Sequence, residues 1–186
     1  MFFFYKSVLE DCEFSPKSIE YGYKAILEDR LDDAKLAFES NDSPRGNWGC
    51  FLINVIKGYI PYSPSYMQIN NFLEIDLDFL IKNEKIEYVE YILGSLDYLL
   101  LSNQLTYKYV ARVMLENRLY KVAKDYLDKS KDIFYNDPEL HFLYAKYYIK
   151  MRDYEKADFY LDECLSILPD YFPAKKYQKE ISRYLA

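Results

Sequence analysis

Two stretches of this chain repeat each other at a distance of 34 residues, and no other feature constrains the fold as tightly. Tyr144-Ala145 and Tyr148 are followed by Ala157 and Leu161, with Pro169 closing the unit. One period earlier stand Val110-Ala111, Met114, Ala123 and Leu127. A third, degraded copy holds Leu77, Leu80, Val89 and Leu93. A fourth holds Tyr21-Gly22, Ala25, Leu31, Ala34 and Phe38, displaced by 55 residues, which is one period plus room for a single extra helix. Two antiparallel helices of about 12–14 residues with short turns fill about 34 residues. Small side chains such as Ala111, Ala123, Ala145 and Ala157 fall where two backbones approach, and Phe38, Leu127 and Leu161 fill the space toward the next helix. Each pair leaves an apolar face uncovered, so the copies must stack.

Composition agrees with an all-α chain. Five glycines and seven prolines leave little material for tight β turns, and an apolar fraction of 51% excludes a disordered chain. The pattern predicts one domain over 1–186, with hairpins at about 15–47, 70–103, 104–137 and 138–171. The stretch GNWGCFLINVIKGY predicts an extra helix at about 46–59, ended by Gly58 and by a loop with Pro61 and Pro64. PAKKYQKEISRYLA predicts a capping helix at about 172–185, with Tyr177 and Ile181 on its apolar face.

At these residues the chain resembles the tetratricopeptide repeat family. The copy at 138–171 carries the resemblance best, with His141 where the family often has Trp; the copy at 104–137 has Tyr135 in place of the closing proline. The resemblance implies antiparallel helix hairpins stacked into a right-handed α–α superhelix. It also implies a concave groove lined by the first helix of each repeat. Register then puts Lys108, Arg112 and Leu115 on the groove from one repeat, and Phe142, Lys146, Ile149 and Lys150 from the next. Tyr23 lines its N-terminal part with Ile19, Ile26 and Leu27. Basic residues beside an apolar platform suit a partner protein or peptide with an acidic segment. Equally, Glu74 and Asp78 in the same register can neutralise Lys108 and Arg112 internally. Ile19, Tyr23, Glu74 and Asp78 depart from the Lys/Asn/Arg clamp by which some family members hold chaperone tails. The implied function is a non-catalytic interaction module that takes a peptide or helix. The alternative is a cytoplasmic chaperone of the same build for a secreted or aggregation-prone client.

Little in the chain serves catalysis, so no enzyme activity, metal or cofactor is expected. His141 is the single histidine, which leaves a catalytic or metal site only one imidazole. Neither GxxxxGK[ST] nor GxGxxG is present. Cys12, Cys50 and Cys164 are odd in number and far apart, unlike a disulfide framework. The net charge of −6 argues against nucleic-acid binding. It is unevenly divided, at −8 over 1–103 and +2 over 104–186. No window reaches the ~18 apolar residues of a membrane span. The opening MFFFYKSVLEDCEF has its charge after the apolar run and no cleavage pattern, so a cytoplasmic location is expected.

Overall fold

A computed structural model describes residue 9 and residues 12–60 and 62–185. Most of the opening MFFFYKSVLEDCEF, and Pro61 of the proline loop, lie outside the described residues. Among the described residues the regular structure is entirely helical, with packing between consecutive helices. In order these are α1 (Ile19–Leu27), α2 (Leu31–Glu39), α3 (Pro44–Ile56), α4 (Tyr66–Lys82), α5 (Ile86–Gly94), α6 (Leu96–Leu100), α7 (Thr106–Glu116), α8 (Tyr120–Ile133), α9 (Pro138–Lys150), α10 (Tyr154–Ile167) and α11 (Phe172–Ile181), ending in a 3-10 turn, Ser182–Tyr184. No described helix is long and apolar enough to cross a membrane. Where the sequence pattern suggests one domain, the chain divides into two compact units, Met1–Thr106 and Tyr107–Ala186.

The period has a backbone signature. Asp29, Glu84, Arg118 and Arg152 adopt left-handed φ of 60–63°, and each sits in the turn between the two helices of a hairpin. Their spacings are 55, 34 and 34 residues, the intervals of the side-chain pattern. Every one of the four turns closes with the same bond: the amide after the left-handed residue donates to a carbonyl five residues back. The pairs are Arg30 to Ala25, Lys85 to Leu80, Leu119 to Met114 and Asp153 to Tyr148, at 2.8–3.0 Å. This is the Schellman ending, which satisfies carbonyls that a helix C-terminus otherwise leaves unbonded. A glycine usually takes the left-handed position, because an L side chain there costs energy.

In the first unit Phe38 is completely buried, and two glycines make room for its ring. A Cβ at Gly22 would lie 2.6 Å from the ring and one at Gly49 2.5 Å, so α1 and α3 both approach α2 at positions without a side chain. Tyr23 and Phe79 continue the cluster, with Tyr23 edge-on to each at 5.3 Å. Ser18, Ser43 and Ser65 cap α1, α3 and α4, the last in a reciprocal capping box with Gln68.

In the second unit Ala145, Ala157, Leu161, Cys164, Ala174 and Ile181 form a core shared by α9, α10 and α11. Burial pushes the Cys164 thiol up to about 11, which makes it an inert packing group. The tyrosines pack between helices: the Tyr144 ring stacks on Tyr160 at 4.5 Å, and Tyr148 stacks on Tyr160 at 5.5 Å. The Tyr144 hydroxyl donates to Asp128 on α8 at 2.7 Å.

Candidate functional site

The expected groove cations on α7 are held by their own unit. Lys108 is 5% exposed, and its ammonium donates to Asp137 Oδ2 at 2.6 Å and pairs with Glu139 at 3.0 Å. The other Asp137 oxygen accepts from the amides of Glu139 and Leu140, capping α9. Arg112 pairs with Glu139 at 2.6 Å. Within the second unit the neutralising groups are Asp137 and Glu139, at the start of the following hairpin, where acidic groups also complement the helix dipole. As an open grip for an acidic ligand, Lys108 and Arg112 are withdrawn.

Tyr23 is not a groove residue either, because it lies fully inside the first unit. Its hydroxyl donates to both oxygens of Asp76, at 3.1 and 3.0 Å. Asp76 is itself 1% exposed and also accepts from Arg45 at 2.5 Å and Trp48 Nε1 at 2.6 Å. The Arg45 guanidinium lies over the rings of Tyr23 and Phe72. Burial raises the Tyr23 pKa well above that of an ordinary phenol and the charge of Asp76 adds to the effect, so the hydroxyl remains a donor. A buried carboxylate needs such partners. The node ties α1, α3 and α4 together.

Phe142 packs edge-on against Tyr171 and Tyr177 at 5.3 and 5.4 Å, joining α9 to the region around α11. Lys146 is half-buried and Lys150 exposed, and neither has an ion-pair partner among the described residues. His141 is buried between Tyr135 and Tyr160, with Nε2 at 2.9 Å from the Tyr135 carbonyl oxygen. Nδ1 has no partner, which fits a neutral ring whose Nε2–H donates to that carbonyl. Burial lowers the His141 pKa below its ordinary value. No group of three or more His, Cys, Asp or Glu that could hold a metal is present among the described residues.

A different place is open. A cleft of about 520 Å³ lies in the first unit between the end of α3 and the face of α5. Val55, Ile60 and Tyr91 supply its apolar lining, and Glu87 and Glu90 its charge. Residues 87, 90, 91 and 94 share one helical face. Two glycines keep the cleft wide. A Cβ at Gly94 would meet nothing within 4 Å, and Gly58 ends α3 with a φ of 77° and equally open surroundings. Ile60 and Tyr91 remain 37% and 44% exposed. The site falls in the degraded copy at 70–103, where the repeat pattern marks no binding position. The available signal was a glycine at position 94 that no packing requires.

Comparison with protein-family models, with curated proteins and with solved structures finds no match to this chain.

Proposed function

We propose that the protein is a non-catalytic interaction module of the tetratricopeptide-repeat kind, holding open a cleft for a polypeptide segment of a partner. The left-handed turns at 34-residue intervals support the repeat resemblance. The observation that carries the function is the α3–α5 cleft, with Tyr91 and Ile60 exposed beside Val55 in a volume typical of ligand sites. This reading keeps the peptide expected from the sequence and moves its site away from Lys108 and Arg112, whose charges are matched within their unit.

Gly94→Leu tests it, because Gly94 lines the cleft and a Cβ there meets nothing within 4 Å. Wild type and variant, both as full chains, are used to recover partners from the source cell. A partner captured by wild type and lost by a variant with an unchanged melting curve supports the reading. Equal capture by both chains, or capture of nothing by either, refutes it.

A further inference from the structure

Resting on that reading of the cleft, we propose that its occupant is a cationic segment: a stretch of partner polypeptide that seats one apolar side chain on Val55, Ile60 and Tyr91 while an adjacent Lys or Arg pairs with Glu87 and Glu90. Two carboxylates in the cleft carry charge that the neighbouring cations leave unmatched. Around α5 the cations are already engaged, Lys85 with Asp29 at 2.5 Å, Lys82 with Asp78 at 2.6 Å and Lys57 with Asp32 at 2.5 Å. Glu87 and Glu90 have no ion-pair partner among the described residues, although both line the cleft and both are exposed. An anionic segment would face two unmatched carboxylates, whereas a Lys or Arg gains charge-assisted hydrogen bonds to groups that need little desolvation. The rest of the unit adds to the preference. Residues 1–103 carry a net charge of −8, of which −6 lies outside Glu87 and Glu90, so a cation is steered toward this unit and an anion away from it.

The shape favours a polypeptide over a compact small molecule. A small ligand is normally enclosed on most of its surface. This cleft opens to solvent, and Tyr59 and Ile86, next in sequence to lining residues, are 62% and 49% exposed. A chain laid across it would cover apolar surface on either side of the anchored residue. The side chains reached from α5 repeat at helical spacing, so the acidic pair and the Tyr91 ring are presented together.

A library of random twelve-residue peptides displayed on phage, selected on the full-length chain, supplies the probe. Selected peptides are then measured against wild type, Gly94→Leu and the double variant Glu87→Gln/Glu90→Gln. The proposal expects sequences with an apolar residue beside Lys or Arg, binding lost on Gly94→Leu, and binding about tenfold weaker to the double variant, as for two surface-type ion pairs. Raising salt should weaken wild-type binding more steeply than binding to the double variant, which keeps only the attraction of the remaining charge. Peptides that need Gly94 but show no basic preference and bind the double variant equally overturn the cationic occupant while leaving the cleft as the site. Peptides that bind Gly94→Leu as well as wild type, or no selectable peptide at all, overturn both.

Discussion

Replacing Asp76 with alanine should unfold or nearly unfold the first unit, and the structure lets the size be worked out. The carboxylate takes three donors, from Tyr23, Arg45 and Trp48, and is 1% exposed. Removing one member of a buried ion pair costs about 3–5 kcal/mol, because the partner charge is left behind. The buried Nη1 of Arg45 is already without a partner, so the guanidinium left behind is poorly compensated. The Tyr23 hydroxyl and Trp48 N–H are stranded as well, at about 1–3 kcal/mol for a buried donor taken alone. These losses overlap in one network and do not simply add, so the expected total is about 4–6 kcal/mol. That is most of the stability of a typical domain, about 5–15 kcal/mol. Trp48 is the only tryptophan of the chain, so urea unfolding followed by its fluorescence reports on this unit directly. Arg45→Met/Asp76→Leu should recover at least half of the loss, because both charges leave together. A shift below about 1 kcal/mol for Asp76→Ala would refute the view that this carboxylate organises the unit.

Gly49→Ala puts a methyl 2.5 Å from the Phe38 ring and should cost about 1–3 kcal/mol by overpacking; Phe38→Leu in the same chain should relieve part of it, both read by urea titration. Arg152→Gly removes a left-handed L residue from the α9–α10 turn and should raise stability by about 1 kcal/mol, seen as a higher melting temperature. His141 titrates below its ordinary pKa when folded, so the unfolded chain binds the extra proton first. Stability should therefore fall as pH drops below about 6.5 and level off beneath the folded pKa. The single imidazole resonance in a proton NMR titration gives the folded pKa, and His141→Phe should flatten the stability profile between pH 5.5 and 7.5.

The hairpins were legible because close helix approach demands small residues at fixed intervals, and Ala25, Ala111, Ala123, Ala145 and Ala157 are all fully buried. The side-chain register also anticipated the spacing of the left-handed turns, although nothing in the residues at those turns suggests the conformation: they are Asp, Glu and two Arg where glycine is the usual choice. The unit boundary near Thr106 was hidden, since the repeat register runs through it unbroken. Functional positions were harder to read. Register alone assigned Tyr23 and Lys108 to a surface, yet each reaches a carboxylate inside its unit, Asp76 or Asp137. Asp76 stands in the register of Val110 and Tyr144, and a carboxylate at a core position was the clue that Tyr23, Arg45 and Trp48 would turn inward. The cleft is lined by Gly58 and Gly94, and a missing side chain leaves no periodic mark, only a glycine at position 94 that packing does not require.

The chain's five glycines offer a direct test of the cleft as the binding site, because Gly58 and Gly94 line it while Gly22, Gly46 and Gly49 lie in tight packing elsewhere in the same unit. The measurement is a nitrogen–proton NMR correlation spectrum of the full chain, recorded with and without a saturating peptide selected for binding to wild type. The account predicts that the amide signals of Gly58 and Gly94 move while those of Gly22, Gly46 and Gly49 stay in place. Unmoved Gly58 and Gly94 signals on binding would contradict it.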